Sequence, residues 1–294
     1  MAKQKTGEPL FVTALRILRY PSLRHSALGC VKSSLDNFFL FQFKAALFPG
    51  RIPVAQADHP LDEKIPFQPR QIGVYLDFVA YWVRLAGFLV RRYRRRGTGP
   101  AGDLIDSMGN LYAFARGVYA KNLSTTRRPR YLARPRFALI HALDPHLLCI
   151  PSLHVMIVIR AYTQFRAILR SLKDEENLAA KIKAAQQEAL AIVEAILFVK
   201  QHSINCVAAA MYAMTRFDRE LFPPAEAENF ISPLFSSRPV PSPTDRKIIL
   251  GHIMELYRRF LREGGADLPW EKPLLDFLRS LPQANSKLYN FPEA

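Results

Sequence analysis

The sequence predicts an all-α protein, and three observations support this fold class. Apolar residues recur at helical spacing, no alternating apolar and polar run predicts a strand, and the breaks between helical segments are rich in proline and glycine. The chain has 294 residues, of which 49% are hydrophobic, so it can build a substantial core. The clearest pattern lies in residues 71–96, where it is carried by Val74, Phe78, Tyr81, Leu85, Phe88 and Leu89.

The N-terminal part is expected to form a helical arm. Phe11 to Tyr20 and Cys30 to Phe48 have the composition of short amphipathic or buried helices. A proline-rich loop follows between Pro49 and Pro69. These segments favour an arm over a separate domain.

The middle of the chain is expected to hold the helical core. The helix at Gln71 to Arg96 ends in a cluster of five arginines, which fits either contact with an anionic surface or a solvated helix C-terminus. Further helices are predicted at Asp103 to Ala120 and Ser152 to Leu172, separated by a loop at Lys121 to Arg136 that is dense in arginine and proline. Lys173 to Met214 is expected to form one long helix that passes from the surface into the core.

The C-terminal part is expected to form a helical extension. A loop is predicted from Phe222 to Pro243, followed by helices at Asp245 to Arg262 and Lys272 to Leu281. The expected organisation therefore has three parts: an N-terminal arm with its proline-rich loop at 1–70, a helical core at 71–221 and a C-terminal extension at 222–294.

The charge of the chain predicts an anionic partner. The formal net charge is +16 and the isoelectric point is near 10, values that suit nucleic acid, acidic lipid or a phosphorylated small molecule. No helix-turn-helix, zinc-finger or RNA-binding signature is present. A basic adaptor for nucleic acid or protein is therefore supported by net charge alone, and we expect no nucleic-acid partner.

Cysteine use and hydropathy bear on the compartment. The three cysteines, Cys30, Cys149 and Cys206, are far apart and odd in number, which favours a reducing compartment. The N-terminus lacks the apolar region of a signal peptide, so a cytoplasmic location is expected. The most apolar stretch, Gly73 to Val90, contains Asp77 and Arg84, and we therefore predict no transmembrane helix. Peripheral attachment to an acidic membrane surface is compatible with the sequence.

Three polar segments could carry chemistry. The first is the basic loop from Lys121 to Arg128-Pro129, which alone is a weak signal. The second is Pro151-Ser152-Leu153-His154, where Ser152 can cap the following helix and the N–H groups of Leu153 and His154 can bind an anion. An N-cap without a ligand is the simpler alternative for Ser152. The third is Lys200-Gln201-His202, set in an apolar run where burial of polar groups is costly without partners.

These segments resemble, in order and spacing, the three signature motifs of the type 2 phosphatidate phosphatase (PAP2) superfamily. Lys121 with Arg128 and Pro129 matches the first motif, a lysine followed after six residues by Arg-Pro. Pro151 to His154 is similar to the Pro-Ser-Leu-His version in the inositolphosphotransferase-like branch. In the third motif only His202 matches, and Lys200-Gln201-His202 resembles a variant of some relatives. The resemblance covers about a third of the chain and implies a PAP2/haloperoxidase-type helical bundle.

The resemblance implies a metal-independent and cofactor-independent phosphatase or phosphotransferase that acts on an anionic phosphoester, such as a lipid phosphate. Lys121, Arg128, Ser152, Leu153 and Lys200 would then bind the substrate phosphate. His202 would form a phosphohistidine, and His154 would protonate the leaving alcohol.

Two alternatives stay open. Cys206 occupies the position of the family's third-motif aspartate, so the chain could be a degenerate relative that binds phosphorylated lipid or headgroup without turnover. A zinc site of His141, His146, Cys149 and His154 has suitable residue types but no familiar spacing.

Overall fold

The computed structural model describes residues 9–129, 131, 133, 135–265 and 267–284. These residues are predominantly helical, so the predicted all-α class is confirmed. The first eight residues, on which the expected lack of a signal peptide partly depends, and residues 285–294 of the C-terminal extension lie outside the described ranges. The described helices are α1 (Leu10–Leu18), α2 (Pro21–Ser34), α3 (Leu40–Leu47), α4 (Ile72–Tyr75), α5 (Phe78–Tyr93), α6 (Thr98–Tyr119), α7 (Pro135–Leu143), α8 (Leu153–Ser171), α9 (Ala179–Phe198), α10 (Ile204–Phe217), α11 (Pro224–Ile231), α12 (Pro243–Glu263) and α13 (Lys272–Ser280).

The centre of the bundle is formed by α8 and α10. Every residue of α10 from Ile204 to Thr215 is buried, so this helix has no exposed face along most of its length. It packs against α8 and α12, while α8 also packs against α5, α6 and α9. A helix that is apolar on all sides is expected in such a central position. The start of α8 and the start of α10 are therefore held by packing from several directions.

Two short strands were not expected from the sequence. β1 (Val54–Gln56) and β2 (Leu123–Thr125) form a parallel pair in which Ala55 lies opposite Ser124. Three residues are too few to produce a recognisable alternating pattern. The pair joins the proline-rich loop to the first motif, since β2 lies only two residues after Lys121.

The predicted single helix over Lys173 to Met214 is wrong, because the chain forms two helices separated at 199–203. α9 ends at Phe198, and Lys200 has a φ of 55°, in the left-handed region that interrupts a helix. Ser203 then caps α10, its Oγ accepting a hydrogen bond from the N–H of Asn205 at 3.2 Å. The apolar residues on both sides conceal this break in the sequence pattern. His202 consequently lies in the connection between the two helices.

Other helix boundaries also differ from expectation. α2 begins at Pro21, nine residues before the predicted start at Cys30, and is followed by a π-helical turn at Leu35–Phe39. Proline at the first helical position is compatible with a helix start, because its missing N–H would have had no intrahelical partner. Helix α11 lies within the segment predicted as a loop, and α7 begins at the end of the predicted loop and covers residues 137–143, for which no helix was predicted.

One helical run, Pro69–Tyr119, contains a window long and apolar enough to cross a membrane, whereas the sequence predicted no span. About two fifths (39%) of that window is buried inside the protein. Core helices of soluble proteins are often equally long and apolar. This run is therefore weak evidence for a membrane span.

Candidate functional site

The second and third motifs meet through a direct contact between two histidines. His154 lies in the first turn of α8, and His202 lies just before α10. His154 Nδ1 and His202 Nε2 are 3.2 Å apart, within hydrogen-bonding distance, and the ring centroids are 5.3 Å apart. The N–H of Ser152 donates to the carbonyl of Cys206 at 3.4 Å, which joins the two helix starts. Two residues 48 positions apart in sequence thus form one pair.

A tyrosine extends this pair into a chain of three rings. The hydroxyl of Tyr75, at the end of α4, is 3.2 Å from His154 Nε2, and the Phe78 ring packs edge-on against His154. If the tyrosine donates to Nε2, His154 Nδ1–H donates to His202 Nε2, and the His202 proton then lies on Nδ1. Sequence analysis did not identify Tyr75, because within an apolar helix pattern it is indistinguishable from a core residue.

Burial keeps both histidines of the pair neutral. Desolvation lowers the pKa of His154 to about 4, despite the opposing effect of Asp144. Desolvation, together with the neighbouring His154 and His146, lowers the pKa of His202 well below its ordinary value of 6.5. An unprotonated imidazole is the nucleophilic form of histidine. Both histidines of the pair therefore have the charge state required of a nucleophile. A histidine of the pair that acts as a proton donor must first gain a proton when substrate binds.

A charged group lies beside the pair and contains the first motif's arginine. Arg128 Nη2 donates to the carbonyl of Asp144 at 3.2 Å, and Arg128 Nη1 lies 3.7 Å from Asp144 Oδ2. The same carboxylate oxygen is 3.6 Å from His146 Nδ1, and the His146 ring centroid is 6.0 Å from that of His202. His146 Nε2 is in turn hydrogen-bonded to Thr126 Oγ1 at 2.7 Å. Asp144 and Thr126 were not among the predicted site residues.

Opposing effects set the charge of this group. Burial raises the pKa of the Asp144 carboxyl, but hydrogen bonding and charge from His146 and the charge of Arg128 bring it to a net value well below its usual range. Burial, followed by the charge of Arg128, lowers the pKa of His146. His146 also has a φ of 59°, which is uncommon for a residue with a side chain. The group therefore presents an ionised carboxylate between a guanidinium and a neutral imidazole.

Each of the three motifs places a buried polar atom that has no hydrogen-bond partner among the described residues. These atoms are Arg128 Nη1, Ser152 Oγ, His202 Nδ1 and both amide atoms of Gln201. Ser152 occupies the N-cap position of α8 but makes no side-chain capping bond, which differs from the expected cap. Nearly all buried polar groups in proteins are hydrogen-bonded. A polar ligand with several acceptor oxygens would satisfy the donors in this set.

Helix α8 supplies further donors. Leu153 is its first residue and is buried, and the N–H groups of a first helical turn have no intrahelical acceptor. Together with the helix dipole, such groups favour an anion. The helix start lies next to the histidine pair, so an anion bound there would contact His154.

Two predicted phosphate-binding lysines are engaged elsewhere. The ammonium of Lys121 forms an ion pair with Glu271, and about half (51%) of its side chain is exposed. The ammonium of Lys200 donates to the backbone carbonyl of Asp62, and burial lowers its pKa. The Asp62 carboxylate accepts from the N–H of Ile204 at 2.9 Å and so occupies the start of α10. Within the described residues, the first motif is therefore linked to the histidine pair by Arg128, through Asp144 and His146, and not by Lys121.

Cys206, which the PAP2 resemblance compares with an aspartate, holds an uncharged thiol. Cys206 is free and fully buried, and burial raises its pKa well above the ordinary value, so it carries no negative charge. Asp144 and the backbone carbonyl of Cys149 both raise the pKa of His202, although no hydrogen bond of regular geometry from the described residues reaches His202 Nδ1. The charge of the Asp144 carboxylate raises the pKa of His202.

The zinc alternative finds little support. Cys149 Sγ is 3.5 Å from His146 Nε2, but burial raises the pKa of the thiol, which disfavours the thiolate that zinc requires. Across the described ranges, no group of three or more histidine, cysteine or acidic side chains is placed to hold a metal ion.

Comparisons of the chain with protein families, with characterised proteins and with solved structures give no match. The geometry of the site is therefore the basis for assigning a function.

Proposed function

We propose that the protein is a PAP2-like phosphatase or phosphotransferase that acts on an anionic phosphoester, for which lipid phosphates are the substrates to be tested. The reaction proceeds through a phosphohistidine at His202. We further propose that its helical core is of the PAP2/haloperoxidase type. The observation that supports this best is the 3.2 Å contact between His154 and His202, together with a buried guanidinium nitrogen of Arg128 that has no hydrogen-bond partner among the described residues. Phosphoryl transfer needs a nucleophile, a proton donor and fixed positive charge, and these three residue types supply them.

The reaction has two steps. A nitrogen of neutral His202 forms a bond to phosphorus as the bond from phosphorus to the alcohol oxygen breaks, and His154 gives its proton to that oxygen. Water, or a second alcohol in a transferase, then attacks the phosphorus of the phosphohistidine. The attacking hydroxyl gives its proton to His154 as the nitrogen–phosphorus bond breaks. Arg128 and the N–H groups at the start of α8 stabilise the charge on the phosphoryl oxygens.

Substrate entry changes the histidine pair in two ways. In-line transfer places nucleophile and leaving group on opposite sides of phosphorus, so the two ring nitrogens must separate from their 3.2 Å contact. The negative charge of the phosphate also favours the protonated form of His154, which burial disfavours in the free protein.

A second function has its own support. The buried thiol of Cys206 and the engagement of Lys121 with Glu271 favour a degenerate relative that binds phosphorylated lipid or headgroup without turnover. In that case Arg128 and the start of α8 would hold the phosphate, and His202 would stay unmodified. A cytoplasmic location with peripheral membrane attachment suits both functions and remains a prediction.

Phosphate release tests the proposal. The full chain is incubated with phosphatidate or a prenyl diphosphate in mixed micelles containing a metal chelator. The wild type and the His25→Ala variant, which changes an exposed histidine on α2, should release phosphate, whereas His202→Ala should not. Equal release by His202→Ala would refute the nucleophile assignment. Binding of the micelles without release by the wild type would favour the degenerate relative.

A further inference from the structure

Exposed apolar side chains are concentrated in the N-terminal helices. Twelve of the eighteen exposed large hydrophobic residues of the described chain lie between Leu10 and Phe48. Phe11, Leu28 and Leu47 each expose 69–73% of their surface. Scattered exposed apolar residues are normal, but their concentration in one part of a fold is typical of an interaction surface.

Helix α2 buries Leu23, Ser26 and Cys30, so its inward side consists of one leucine and small or polar residues. Ser26 Oγ donates to Asp106 of α6 at 3.0 Å, and Ser33 Oγ donates to the carbonyl of Gly109 at 2.7 Å. On other faces of the same helix, Leu28 and Val31 are 69% and 55% exposed. Two large apolar side chains thus face outward on a helix whose inward side is mostly small or polar. Close packing through small residues with apolar residues outward is typical of helices in contact with lipid.

Helix α1 repeats the pattern. Thr13 is buried against Gly87 of α5, where an added Cβ would lie only 2.1 Å from Thr13 Cγ2. Phe11 and Leu15 are 73% and 53% exposed. Each of the two helices thus directs a hydroxyl-bearing residue at a glycine-containing partner, buries one aliphatic residue (Ile17 or Leu23) and leaves other large apolar residues outside.

The exposed apolar residues continue along one uninterrupted helical segment. α2, the π-helical turn and α3 run from Pro21 to Leu47 without a break, about 40 Å at the rise of an α-helix. Val31, Leu35, Leu40 and Leu47 are exposed along it. Hydrogen bonds of a π-helical turn span five residues, a spacing that brings Leu40 under Leu35. We call the exposed residues of α1, α2, the π-helical turn and α3 the apolar face.

The charge around the apolar face is positive. Residues 9–51 contain six lysines and arginines and a single acidic residue, Asp36. A groove of about 330 Å³ opens beside α3, and all three charged residues of its lining are basic. These are Lys44, Arg51 and Arg116, above an apolar wall that includes Phe41, Ala45 and Phe48.

We propose that the apolar face docks into the interfacial region of an anionic lipid bilayer, with the helical segment Pro21 to Leu47 lying in the membrane plane. Apolar side chains enter the acyl region while basic side chains contact lipid headgroups. A second copy of the chain is a poorer occupant, because it would bring two positively charged surfaces together. This inference is independent of the proposed chemistry, since it involves no residue of the histidine pair.

Vesicle flotation tests this docking. The full chain is mixed with vesicles of phosphatidylcholine alone or with about 30% phosphatidylglycerol. The variant Leu28→Ser/Val31→Ser/Leu47→Ser is compared with a control that changes three exposed apolar residues elsewhere, Leu139→Ser/Ile248→Ser/Leu268→Ser. Because these positions are exposed, both variants should fold, which circular dichroism checks.

We expect the wild type and the control to float with anionic vesicles, and the apolar-face variant to lose about 100-fold or more in partitioning. Raising the salt to about 0.5 M should weaken wild-type binding without abolishing it. Unchanged binding of the apolar-face variant would overturn the proposal. The proposal would also be overturned if the wild type did not float with anionic vesicles and instead formed a dimer that the same substitutions dissociate in analytical ultracentrifugation.

Discussion

Mild acidification should destabilise the protein through His154, which the fold keeps neutral. In the folded chain, burial lowers the pKa of this histidine to about 4, whereas in the unfolded chain it takes its ordinary value near 6.5. The unfolded state therefore binds more protons than the folded state below pH 6.5. Stability that is present at pH 7 is lost as the pH falls through this range, until the folded pKa is reached.

The size of the effect follows from the two pKa values. Between pH 7 and pH 5, His154 alone should remove about 2 kcal/mol from the free energy of unfolding. The assay is urea unfolding at both pH values, followed by circular dichroism. A His154→Gln variant should lose about 2 kcal/mol less than the wild type over the same interval, because it has no imidazole to protonate there.

His25, exposed on α2, provides the matched control. The His25→Gln variant should retain the full wild-type loss of stability between pH 7 and pH 5. If His154→Gln and the wild type lose the same free energy, then His154 is not held neutral by the fold. The account of its charge state would then fail, together with the proton-donor role built on it.

Three further predictions concern activity at the same site. Arg128→Ala should lower kcat/KM for phosphate release by about 100-fold or more, because it removes a contact to the transition state, whereas Lys121→Ala should change kcat/KM less than about threefold. Comparable losses in the two variants would contradict the division of roles between the two cations. Asp144→Asn should lower kcat about 10-fold, because it removes the negative charge while it keeps an acceptor for the backbone N–H of His146. An unchanged rate and an unchanged pH profile would show that the Asp144 carboxylate is irrelevant to His202. Cys206→Asp should raise turnover if the missing carboxylate limits catalysis. If the variant has a wild-type circular dichroism spectrum and its turnover is unchanged or lower, another group already orients His202.

The sequence was sufficient to predict the helical class because helical spacing dominates long segments such as α5 and α8. It did not predict the break at Lys200, since the apolar residues of α9 and α10 continue the pattern across it. Nor did it predict β1 and β2, whose pairing depends on two loops meeting in space. Local signals thus predicted fold class, while boundaries depended on tertiary contacts.

The same distinction applies to the site. The sequence motifs singled out His154 and His202, and in the structure these residues form a pair. The motif also singled out Lys121, but its ammonium forms an ion pair with Glu271, 150 residues away in the sequence. Asp144 and Tyr75 escaped sequence analysis because nothing in their local sequence distinguishes them from an ordinary loop aspartate and a core tyrosine. Long-range partners of this kind become visible only in three dimensions.

The central claim, that His202 carries the phosphoryl group, can be tested by trapping the intermediate. The full chain is mixed with phosphate-labelled substrate, quenched in alkali within the first turnovers, digested and analysed by tandem mass spectrometry. Our account predicts an acid-labile, alkali-stable phosphoryl group on His202 that is absent from the His202→Ala variant. Turnover without a covalent phosphoryl group, or a label on His154 or His146 instead, would contradict it.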